Sequence, residues 1–112
     1  MPTRNVVEVL EEDGSSPFAR WFLNLDAEDA AKVNAAIVRM STGNLSDVKA
    51  VGGGVFERRI HWGPGYRIYF GQEGEQLILL LGGGVKKRQE NDIRQAKDRW
   101  ARYKIRKKGG GK

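Results

Sequence analysis

The chain has 112 residues, a formal net charge of +6 and no cysteine. That length fits one domain with a core of its own, and the missing thiols exclude a disulfide framework and a thiolate metal site. No apolar run reaches the ~18 residues a membrane span needs, and the acidic start (Glu8, Glu11, Glu12, Asp13) is unlike a secretory signal, so a reducing cytoplasm and no membrane partner are expected.

Asn5–Leu10 is β-branched and bounded by polar residues, which predicts a first strand. Ser16 before Pro17 is a helix start, a hydroxyl cap followed by proline at the first helical position. Phe18, Trp21, Phe22 and Leu25 then fall on one helical stripe. Asp26 is placed to cap a second helix, with Glu28 and Asp29 in its first turn. Ala30, Val33, Asn34, Ile37 and Met40 form its inner face, and the short joint makes an antiparallel helical hairpin. Gly43–Gly54 has little apolar content and reads as a loop. Val55–Trp62 alternates, with Phe56, Ile60 and Trp62 opposed to Glu57, Arg59 and His61. Gly63-Pro64-Gly65 is turn chemistry. Tyr66–Phe70 alternates again, with Arg67 and Tyr69 on the polar side, and Leu77–Leu81 is apolar on both faces, as a central strand is. Gly82-Gly83-Gly84 lacks the lysine-serine of a phosphate loop and reads as a bend at the strand end. Gln89–Tyr103 is a helix with Ile93, Ala96, Lys97 and Trp100 on one face.

The expected architecture is α+β, ordered β-α-α-β-β-β-α: an antiparallel sheet, an N-terminal helical hairpin on one face, and a C-terminal helix. Residues 1–104 form the domain, and residues 105–112 form a frayed basic tail. Charge is unevenly placed. Through residue 85 there are 8 basic and 11 acidic side chains, and from residue 86 there are 12 and 3, balances of −3 and +9. A basic segment on an acidic body points to a polyanion such as RNA, with Lys87, Arg88, Arg102, Lys104, Arg106, Lys107 and Lys108 as its contacts. A solvated tail is the alternative.

The runs GNLSDVKAVGGGVFERRIHWGPGYRIYF and LILLLGGGVKKRQENDI carry a resemblance across roughly residues 16–100. They are similar to the RelE/ParE superfamily of toxins from type II toxin–antitoxin modules, nearest to the HigB-like, phage-type branch of addiction-module killer proteins. The residues that match its pattern are Gly43, Asn44, Asp47 and Lys49; Gly54, Val55, Glu57, Arg59 and Ile60; Gly63 to Phe70; and Gly83, Gly84, Lys86, Gln89, Asp92 and Ile93. Two positions depart: Arg58 stands where the pattern has leucine, on the apolar side of its strand, and Val85 where it has aspartate. The resemblance implies a RelE-like fold with a basic sheet face, a small helix-turn-helix antitoxin as partner in a hetero-oligomer, and growth inhibition. RelE and HigB proteins cut mRNA in the ribosomal A site, whereas ParE relatives act on DNA gyrase.

Metal-free RNA cleavage needs a group to take the 2′-hydroxyl proton, cations for the phosphorane charge, and help for the leaving oxygen. Arg67 suits the scissile phosphate, because guanidinium binds it as a fork and keeps its charge. Arg59, Lys49 and Lys86 supply further charge, and a desolvated lysine can transfer protons. Glu57 is either a base or a cross-strand partner of Arg59 or Arg67. His61, the single histidine, reads as an exposed residue at a strand end; without cysteine it makes no zinc site, and no metal or cofactor is expected. Three functions stay open: a ribosome-dependent mRNA endonuclease, a non-nucleolytic gyrase inhibitor, and a plain nucleic-acid-binding module.

Overall fold

The computed structural model describes residues 3–110. Its strands are β1 (Asn5–Glu8), β2 (Val48–Gly52), β3 (Val55–Ile60), β4 (Tyr66–Glu73) and β5 (Leu77–Val85). The α-helices are α1 (Pro17–Phe22), α2 (Ala27–Ser41) and α3 (Gln89–Gly110), with one 3-10 turn at Lys86–Arg88. The strands form a single sheet in the order β1-β5-β4-β3-β2. β1 runs parallel to β5, with Asn5 opposite Leu77, and every other neighbour is antiparallel. The fold is therefore α+β around a mixed sheet, not a purely antiparallel one. The last two residues of the expected tail lie outside the described part, and residues 105–110 continue α3 instead of fraying.

Both faces of the sheet are covered. On one, Phe18 of α1 and Val33, Ala36 and Met40 of α2 meet Ile60, Tyr66, Ile68, Phe70, Ile78 and Leu80. On the other, Ala96 and Trp100 of α3 meet Val9, Val55, Tyr69, Leu79 and Leu81. Residues 78–81 thus alternate between two cores, as a central strand must. Asn34, expected on the inner face of α2, is exposed, and Ala36 is buried there instead.

Local chemistry explains the elements. The Ser16 hydroxyl accepts from the Ala19 amide at 3.0 Å, and Pro17 opens α1. Asp26 sits at the N-cap of α2 but makes no side-chain capping bond. Gly52, Gly53 and Gly54 all have positive φ, so they turn the chain tightly enough to pair β2 with β3. That pairing overturns the loop expected before Val55. The Gly82–Gly84 run is also not a bend: it is strand, opposite Tyr69, Ile68 and Arg67. Its glycines are needed for close approach. A Cβ on Gly83 would collide with the Trp21 ring of α1, and one on Gly84 with the Asp92 carboxylate of α3. Gly71 serves likewise, since a Cβ there would lie 2.7 Å from the Trp100 ring.

Candidate nucleic-acid interface

Strand register builds two side-chain rows on the α3 side of the sheet. Lys49, Glu57, Tyr69 and Gly82 lie opposite one another across β2, β3, β4 and β5. Arg59, Arg67 and Gly84 form the next row. The first of these rows, on the polar side of the strands, meets α3. Glu57 is fully buried and Tyr69 nearly so. Gln89, in the first turn of α3, donates to Glu57 Oε2 at 2.8 Å, and Arg67 Nε approaches the same oxygen at 3.5 Å. Burial, and next the Glu57 carboxylate, push the Tyr69 hydroxyl well above its ordinary range. Glu57 is thereby a structural partner with no open path to a substrate.

The second row is only partly exposed, Arg59 being half-buried and Arg67 7% exposed, and the cleft lies at its edge. Arg59, His61, Gly65, Arg67 and Lys86 line a cleft of about 380 Å³ beside the Gly63–Gly65 turn. The Lys86 amide donates to the Gly65 carbonyl at 2.8 Å, which ties the 3-10 turn to the β3–β4 connection. Gly65 has φ +82, and a Cβ there would sit 3.4 Å from Lys86 Cβ and 3.8 Å from Arg67 Nη1. The arginine fork therefore lies directly under the turn. Arg67 Nε has no hydrogen-bond partner among the described residues, and neither does Arg59 Nε. Two guanidiniums and an ammonium share this cleft, and no carboxylate lines it. Such a concentration of positive charge attracts an anion. No group of three or more metal-ligating side chains occurs among the described residues.

Over 81 residues the chain is 44% identical to an uncharacterised protein of Haemophilus influenzae, a match spanning 71% of this chain and 82% of the other. The chain belongs to that protein's family. No family model matches the sequence.

Of the other residues expected to act, Lys49 is exposed on the edge strand β2, in the Glu57 row, and does not line the cleft. Lys87 and Arg88 continue from Lys86 along the 3-10 turn and are exposed. Four of the α3 residues expected as RNA contacts have protein partners. Arg102 pairs with Glu11 at 3.3 Å and Asp98 at 3.2 Å, and Lys104 lies 5.7 Å from the Trp100 ring centre. Arg106 donates to the Leu10 carbonyl at 2.8 Å and Lys107 to Glu73 at 2.6 Å. These contacts hold the end of α3 against the body, so its charge is less free than an unpatterned tail would make it. Lys108 is exposed.

His61 is exposed just beyond the end of β3, as its sequence position suggests, and there it also lies on the cleft wall, 3.6 Å from Asp47. The signal was its place next to Trp62-Gly63-Pro64-Gly65, since a residue flanking a turn projects at the open end of the sheet. The anchor of that end is Asp29, which the sequence offered only as a helix-end charge. It accepts from Trp62 Nε1 at 2.8 Å and from the Tyr66 hydroxyl at 2.7 Å. The hydrogen bond to Asp29, with burial, raises Tyr66 to about 12. The hydrogen bonds from Tyr66 and Trp62 hold the Asp29 carboxyl below its ordinary 3.8. The stabilisation is therefore present in full above about pH 4 and is lost as pH falls through the depressed value. Asp29→Asn should flatten the acid limb of a thermal-denaturation series, read by near-ultraviolet dichroism of the tryptophans. An unchanged acid limb would remove Asp29 as the anchor of this end.

None of the described helices is long and apolar enough to cross a membrane.

Proposed function

We propose that this chain is the toxin of a type II toxin–antitoxin module, with a RelE-like fold, acting in the cytoplasm as a ribosome-dependent, metal-independent mRNA endonuclease. The observation that carries the reading is the convergence of Arg59, Arg67, Lys86 and His61 on one cleft, built from the segments that bear the resemblance. Arg67 would fork the scissile phosphate, and Arg59 and Lys86 would stabilise the charge that grows on it. The 2′-oxygen attacks the adjacent phosphorus and gives its proton to His61. The bond to the 5′-oxygen breaks, and that oxygen takes a proton from Lys86. Glu57 stays behind Arg67 and fixes its direction. Val85 packs toward the α1–α2 core, so in this chain that position brings no charge to the cleft.

The burial of Glu57 supports a second reading. With no carboxylate base in the cleft, a non-nucleolytic inhibitor of DNA gyrase needs only the same surface as a contact. One experiment separates the two. Induced expression without a partner should arrest growth, co-expression of an adjacent helix-turn-helix gene should restore it, and primer extension on a translated message should show cuts. Normal growth at high expression of folded protein sinks both readings; arrest with intact message and blocked supercoiling leaves the gyrase one.

A further inference from the structure

A second basic cleft lies across β3 from the first. Lys32 and Arg39 of α2, Arg58 of β3, and Asp47 line it, and it shares Ile60, His61 and Trp62 with the Arg67 cleft. Arg58 is its unusual member. Its side chain is only 7% exposed, yet it lies on the face that packs toward α2. One Nη donates to the Arg59 carbonyl, Asp47 lies 3.8 Å away, and Nε has no hydrogen-bond partner among the described residues. Three cations face one carboxylate, so the cleft is left with two positive charges before His61 is counted. Burial, with Arg39 close by, works against the charged form of Arg58, and Asp47 only partly offsets them. Lys32 is also committed, its Nζ 4.3 Å from the Trp62 ring centre. A guanidinium buried with an unmet donor, beside a second arginine and an ammonium, is built to take an anion.

We infer that this cleft holds a second phosphate of the single-stranded RNA whose scissile phosphate occupies the Arg67 cleft. The shared wall of His61 and Trp62 carries the strand from one site to the other over the end of β3. Continuity favours the strand over a free anion, because both clefts open on that one edge. The inference rests on the RNA reading of the Arg67 cleft.

The test is fluorescence anisotropy with a labelled single-stranded RNA of roughly 10 nucleotides, across a salt series. Arg39→Gln and Arg58→Leu should each weaken binding, and each lost phosphate contact should reduce the slope of log affinity against log salt by about 0.7. A dinucleotide, having one phosphate, should respond to Arg67→Ala and not to Arg39→Gln. Arg39 is exposed, so its variant tests the site even where Arg58→Leu fails to fold. An unchanged salt slope in Arg39→Gln overturns the site. Weakened antitoxin binding with unchanged RNA binding also overturns it, by making the cleft a protein contact. Inorganic phosphate that erases the Arg39→Gln difference at constant ionic strength makes it a free-anion site and overturns the strand. Sensitivity to Arg39→Gln with none to Arg67→Ala, and no cut message, sinks the nuclease reading and leaves this site standing.

Discussion

Arg67→Ala should lower mRNA cleavage in a translating extract about 100-fold or more, the usual effect of losing a donor aimed at transition-state charge. Because Arg67 is the partner of the buried Glu57, Arg67→Ala should also lose stability, so the rate is compared only on protein that chemical denaturation and antitoxin binding show to be folded. Arg67 reaches the cleft under Gly65, and its backbone position opposite Arg59 and Gly84 is fixed by strand register. Arg67→Lys should recover only part of the rate, because an ammonium is a point charge and cannot fork a phosphate. Equal cleavage by wild type and Arg67→Ala would remove Arg67 from the chemistry.

Glu57→Ala should cost about 3–5 kcal/mol of stability, the range for removing one partner of a buried ion pair. Glu57 is wholly inside, and both Arg67 Nε and the Gln89 amide are directed at its Oε2. Glu57→Gln keeps the shape and one acceptor, so it should lose less stability and keep most of the cleavage. Chemical denaturation beside primer extension reads both quantities. A Gln variant as stable as wild type but as inactive as Arg67→Ala would make Glu57 the base after all.

The sites of success and failure in reading this sequence have physical causes. Val55–Ile60 and Tyr66–Phe70 were legible because alternation sets a period-2 pattern on the face packed by α1 and α2. Ser16-Pro17 was legible because capping is local. β2 was not: its residues are VKAVG, with Lys49 and Ala50 exposed, as an edge strand can afford. The cover over Glu57 and Tyr69 was hidden for a different reason. A polar sheet face can be covered by a largely polar helix as well as by water or a ligand. Gln89 pairs with Glu57, and Arg99 donates to the Leu81 carbonyl at 2.8 Å. Asp92 lies against Gly84. Among the described residues of α3 only Ala96 and Trp100 are buried, so periodicity alone could not announce how α3 packs. The cleft residues Arg59, Arg67 and Lys86 were named from the residues; that His61 joins them depends on where one turn projects.

The parallel pairing of β1 with β5 bears on how the protein is made. Asn5 finds its partner at Leu77, and Val9 shares its core with Ala96 and Trp100. A chain emerging from the ribosome amino end first therefore holds an unpaired strand until most of its length has been synthesised. The closing step joins segments far apart in sequence, and such closures are slow beside hairpin formation. The Arg67 cleft also needs Lys86, tied to Gly65 from beyond β5. Truncated nascent chains consequently lack the assembled cleft, and its chemistry arises only in a nearly finished molecule.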